Sequence, residues 1–202
     1  PELKMFHEKK VEDHKTKAKV HEEAAKTHEA QHKKNVALKK YAKQKENAEV
    51  ASKSANEKPF DPTDDDEHKG AIEAHEAAVT EHDSALKHAL EAGASRQADF
   101  HAQKSNEHAD KIAYHKAAID ALHATDKAES ETGDSPAKAN AHKEAQMAHE
   151  KAAEHASKLS GYAAPQSYHE SKANDHGNDY KEHLGSSFKS VEPAAPENPW
   201  KG

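Results

Sequence analysis

The chain has 202 residues, of which 67 are hydrophobic; 39 of those are alanine and only 20 are Leu, Ile, Val or Phe, too few for a single thick hydrophobic core. The absence of cysteine excludes disulfides and thiolate metal sites. The 37 acidic and 30 basic residues are mixed along the chain without a basic stripe, which argues against a nucleic-acid partner, and no apolar run approaches the roughly 18 residues of a membrane span.

Low hydrophobicity by itself favours disorder, because little apolar burial offsets the chain entropy lost on folding. Alanine, lysine, glutamate and glutamine oppose that outcome as strong helix formers. The chain is therefore predicted to be all-α, with long helices in hairpins or a thin coiled-coil-like bundle. The opening stretch from Pro1 to Lys10 is too charged for a secretory signal, and synthesis in the cytoplasm is the expectation. A long amino-terminal helix occupies 1–58, from about Leu3 to Asn56, and would extend roughly 80 Å if unbroken. It stops at Pro59-Phe60-Asp61-Pro62, within a proline linker over 59–63.

A helical hairpin is predicted over 64–133. Its first helix starts after Thr63, where Asp64, Asp65, Asp66 and Glu67 suit the positive helix end, and reaches Gly93; its second covers Ser95 to Ser130. Gly133-Asp134-Ser135-Pro136 then reads as a stop, a cap and a first-turn proline. Two shorter helices fill 134–185. The fourth continues to Ser160 before Gly161, and the fifth opens on Ser167 and Glu170, the spacing of a capping box, and reaches about Leu184, with Gly177 weakening its middle. From Ser186 to Gly202 the composition becomes that of an extended Pro-rich tail. It reads either as a frayed terminus or as a docking peptide anchored by Phe188, Val191 and Trp200.

The strongest pattern is the spacing of the 19 histidines. His7, His14, His21 and His28 are seven apart, as are His68, His75 and His82; His101, His108 and His115; His142 and His149; and His169, His176 and His183. Seven residues are two helical turns, so each helix carries a histidine stripe on one face. An apolar residue often lies three positions earlier, as Val11 does before His14, Ile72 before His75 and Ile112 before His115. The predicted seam comprises His14, His21, His28, His75, His82, His108, His115, His149, His176 and His183. Three readings follow. The imidazoles flank an alanine seam and bond Glu or Lys on neighbouring helices; or they form a pH switch, since histidine titrates near neutrality; or they bind metal. Histidines seven apart lie roughly 10 Å apart on one helix, too far to share an ion without ligands from another helix. Desolvation and mutual repulsion in a packed seam would lower their pKa values, whereas partner carboxylates such as Glu22, Glu29, Glu76 and Glu150 would raise them.

Only His28 and His32 have chelating spacing, inside His28-Glu29-Ala30-Gln31-His32, a match to the zinc-protease pattern. His-Glu dipeptides recur along the chain, and a lysine-rich helix supplies no substrate strand or walled cavity, so the match reads as incidental. Asp61, Thr63 and Asp65 imitate the start of a calcium loop, but Asp66 stands where glycine is required and Ile72 where the bidentate glutamate belongs. No phosphate loop or nucleophile elbow is present, so no catalytic residue and no cofactor are predicted.

The phrases Ala141-His142-Lys143-Glu144-Ala145 and Ala148-His149-Glu150-Lys151-Ala152, with a Pro-rich tail ending in an aromatic, resemble small helical auxiliary or internal virion proteins of tailed bacteriophages. The resemblance implies a structural component of a phage particle, attached to capsid or tail proteins. From the residues alone, the expectation is a non-catalytic assembly protein, a homo-oligomer or part of a larger assembly, with a histidine-rich metal-binding or pH-responsive module as the alternative.

Overall fold

In a computed structural model, residues 2–57, 61–132 and 136–189 are described. They form five helices and no strands: α1 (Glu2–Glu57), α2 (Asp65–Glu91), α3 (Ser95–Ser130), α4 (Pro136–Ser157) and α5 (Ala163–Lys189). Pro59 and Phe60, Gly133 to Ser135, and the tail anchors Val191 and Trp200 lie outside the described residues.

The acidic cluster before α2 is a cap. Asp64 Oδ1 accepts the backbone N–H groups of Asp66 and Glu67 at 2.9 and 3.1 Å, while Asp61 Oδ1 accepts from Thr63 N–H and its hydroxyl. The Asp64 bonds satisfy donors that the first turn leaves without an intrahelical partner, and the Asp61 bonds fix the turn before it. At the other end of α2, Gly93 takes φ +70 and Ala94 N–H reaches back to Ala89 C=O at 2.8 Å. With the bond from Gly93 N–H to Leu90 C=O, this is a Schellman termination, which needs the left-handed residue that glycine supplies.

Three boundaries differ from the sequence reading. α4 ends at Ser157, not Ser160, in a looser turn in which Lys158 and Leu159 N–H bond His155 and Ala156 C=O. α5 begins at Ala163, where Tyr162 C=O accepts Gln166 N–H, so Ser167 does not cap it. Pro165 falls in the first turn, where its missing N–H removes no helical bond. At its far end α5 runs past Gly185, so that Phe188 belongs to its last turn rather than to an extended tail.

The chain divides into two compact units. One comprises residues 1–50 and 81–103, in which Ala37, Ala48, Ala85, Ala89, Ala92 and Ala98 are buried. The other comprises 51–80 and 104–202, where Ala117 and Ala121 of α3 pack on Ala152 of α4, and Ala128 packs on Ala141 and Ala145. Tyr114, Ala118 and Ala156 close the end of this interface, with Leu159 and Tyr162 against them. Among the described residues every buried hydrophobic side chain except Tyr114 is alanine, while Leu3, Phe6, Val50, Leu90, Phe100 and Met147 are exposed. Small side chains let helix backbones approach closely, so these interfaces are thin, and the remaining volume is filled by ten buried histidines.

The usual substitution logic is thereby inverted. Ala121→Leu should overpack the α3–α4 contact and lower stability by about 1–3 kcal/mol, whereas Leu90→Ala should change it by no more than about 0.5 kcal/mol. Denaturant unfolding followed by circular dichroism checks both values.

Candidate functional site

Each hairpin joins its histidine stripes ring to ring. His82 of α2 meets His101 of α3 with Nδ1 to Nδ1 at 2.9 Å in the first unit. In the second unit His75 meets His108 and His68 meets His115, both at 2.8 Å, while α4 and α5 pair His149 with His169 at 2.9 Å and His142 with His176 at 3.1 Å. The register is antiparallel, each step of two turns along one helix being matched by two turns back along its partner. Rings from successive pairs also stack: His75 on His115 at 5.8 Å between centroids, and His149 on His176 at 5.6 Å.

A single proton can lie between two Nδ1 atoms, so the rings of a pair must adopt opposite tautomers. Pro62 C=O fixes one pair, because it only accepts: His68 carries its proton on Nε2, and His115 must then donate from Nδ1. Hydroxyls on a third helix engage the outer nitrogens. Ser52 of α1 lies 2.8 Å from His108 Nε2, and Tyr41 more loosely, at 3.4 Å, from His101 Nε2. In the α4–α5 hairpin, Thr125 of α3 bridges His149 Nε2 at 2.9 Å and His176 Nε2 at 3.0 Å, and Tyr114 lies 3.5 Å from His169 Nε2. Thr125 owns one hydroxyl proton, so it donates to one ring and accepts from the other. The groups Tyr114, His169, His149, Thr125, His176 and His142 thus form one relay whose proton directions are mutually dependent.

Burial dominates the electrostatics. Desolvation, then the charges of His108 and Lys111, depresses His75 to about 4. Desolvation, followed by His68, His75 and Lys111, depresses His115 to about 3. His149 and His169 are pushed down to about 3 and about 4, again chiefly by burial. Carboxylates reverse none of these shifts, although Asp65, Asp64 and Asp61 moderate that of His68. A cavity of about 280 Å³ lined by His75, His115, Lys111, Asn56 and Tyr162 adjoins two of the rings.

No family model matches the chain, and neither a curated protein nor a solved structure matches it.

Of the predicted seam, His75, His82, His108, His115, His149 and His176 are buried, and His183 is half-buried and stacked on His142 at 5.3 Å. His14, His21 and His28 are exposed on α1 and lie in no seam among the described residues. The buried rings occupy the helix interfaces and bond each other through Nδ1, a pairing the spacing alone does not predict. His68, His101, His142 and His169 complete the pairs. His28 and His32 are both exposed, and among the described residues the one convergent set of metal-type ligands is His142, His176 and Asp179. Sequence reasoning missed the hydroxyl residues. A signal existed: Tyr41, Ala48, Ser52 and Ala55 of α1 recur at identical spacing as Tyr114, Ala121, Thr125 and Ala128 of α3.

Replacing Thr125 by valine keeps the shape and removes the bridge, leaving two buried imidazole nitrogens without it. The loss should be roughly 1–3 kcal/mol for each nitrogen left unsatisfied, measured by denaturant unfolding at pH 7.5. A second outcome concerns acid. His75 and His115 have folded pKa values below the unfolded value of about 6.5, so their stabilisation is complete above pH 6.5. It declines as the pH falls and the unfolded chain takes up protons, and the loss levels off near their folded values. At pH 5 each should have lost roughly 1–2 kcal/mol, and a His75→Gln, His115→Gln variant should show a correspondingly flatter profile between pH 7.5 and 5.

Proposed function

We propose that this chain is a non-catalytic structural protein that assembles with a second copy of itself through the amino-terminal half of α1. The observation that carries this reading is the repeat between α1 and α3. Where α3 has His101, Tyr114, Ala121, Thr125 and Ala128, α1 has His28, Tyr41, Ala48, Ser52 and Ala55 at the same spacing. On α3 the histidine face is covered by the stripe of α2, whereas on α1 every residue from Leu3 to Val36 is exposed.

Chemistry within the chain supports the choice of occupant. Seven-spaced stripes here join antiparallel, through Nδ1 pairs set among small side chains. The α1 stripe has four equally spaced members, His7, His14, His21 and His28, and such a set is self-complementary about a two-fold axis: His7 faces His28 of the copy, and His14 faces His21. Val11, Ala18 and Ala25, each four residues after a histidine, keep the seam narrow. A tailed-phage particle, the setting that the compositional likeness implies, is one assembly in which such a rod would serve, with capsid or tail proteins as further partners.

His14→Glu with His21→Glu places carboxylates opposite one another across that axis, at positions that are exposed in the single chain. Light scattering with size-exclusion chromatography at pH 7.5 should find the parent chain dimeric and the variant monomeric at equal helicity. A monomeric parent at about 100 μM, well above a typical micromolar dissociation constant, or a variant that dimerises as well as the parent, would refute the proposal.

A further inference from the structure

One end of the α4–α5 ladder differs from every other pair. His142 Nδ1 lies 3.1 Å from His176 Nδ1 and 3.5 Å from Asp179 Oδ2, and the ligand atoms of all three residues fall within 4.8 Å of one another. Among the described residues this is the one pair with a carboxylate close enough to complete a ligand set. Three lone-pair-bearing atoms converge there with a single proton to share, because the carboxylate is acceptor-only and each neutral imidazole carries one N–H.

From this convergence we infer that His142, His176 and Asp179 form a binding site for a divalent transition-metal ion of the zinc class. Two nitrogen or oxygen ligands about 2.05 Å from a tetrahedral zinc lie roughly 3.3 Å apart, and the separations of 3.1 and 3.5 Å bracket that value. An ion would replace the one shared proton and satisfy all three atoms together.

Further features favour this site over the other pairs. His142 is buried, and its Nδ1 lies beside the ligand atoms of both other residues. Thr125 holds His176 by Nε2 at 3.0 Å, the second-shell contact that orients a ligating imidazole. Asp179 is about half exposed, which gives an ion a path from solvent. His183 lies one turn beyond it on the same face of α5, with its ring stacked on His142, and a water can fill the fourth position. At Gly177 an added Cβ would meet the end of the Gln146 side chain at 3.3 Å, so the glycine that weakens α5 by propensity sits in close contact with α4.

The exposed His28 and His32 could chelate an ion adventitiously, so the test uses the full-length chain carrying His28→Gln and His32→Gln as its parent. Titration with Zn2+ at pH 7.5 by calorimetry, and with Co2+ by visible d–d absorption, should give one tight equivalent and a tetrahedral cobalt spectrum. Asp179→Asn should weaken both by tenfold or more without changing helicity, and His142→Gln should abolish them. Asp179→Asn is informative even where His142→Gln disturbs folding, since Asp179 lies outside the imidazole pair. A parent without a tight equivalent, or an Asp179→Asn protein that binds as tightly as the parent, would overturn the assignment.

Discussion

A hydrogen bond between two Nδ1 atoms on facing helices governs this structure. It holds one proton between two neutral rings, so it forces opposite tautomers, excludes a second proton and demands that the helices come close. Alanine neighbours follow from that last demand, because a leucine beside the ring would hold the backbones too far apart. Polar interiors are usually unfavourable; here the two Nδ1 atoms of each pair satisfy one another, and each pair joins two helices with a directional contact that alanine cannot supply.

The pairs also dictate what a third helix must present. Each paired ring has an outer nitrogen, and one left buried without a partner is destabilising by about 1–3 kcal/mol. Ser52 and Thr125 meet that need from α1 and α3, and Tyr41 and Tyr114 do so at longer range. Because a hydroxyl both donates and accepts, the Thr125 bridge couples two pairs into one hydrogen-bonded relay, and networks of this kind respond as a unit. The same logic accounts for the repeat. A helix that presents hydroxyls to one hairpin and histidines to another can be used again, as α3 is, and α1 carries both halves of the device with one half uncovered.

An interior built of imidazole differs from a hydrocarbon one in its response to conditions. Burial holds His75, His115, His149 and His169 well below their ordinary range, so the interior is neutral at physiological pH and acid works against it. Exposed ion pairs such as Lys26–Glu22 and Lys33–Glu29 are single-turn contacts on the α1 surface and contribute little to the fold.

Much of the architecture was legible in the residues. Helix propensity, the Asp64 cap and Gly93 are local features, and local geometry decides where α1, α2 and α3 lie. The seven-residue interval was legible for the same reason, since it reports which side chains share a helical face. What the interval cannot convey is what that face meets. The stripes at His14, His21 and His28 and at His68, His75 and His82 look alike in sequence; only long-range packing exposes the first and buries the second. Ring-to-ring pairing, the reach of Thr125 to two imidazoles and the meeting of His142 with Asp179 all join residues far apart in the chain. Burial, and with it the depressed pKa values, was decided there, because desolvation depends on the neighbours that tertiary structure supplies and not on the residue itself.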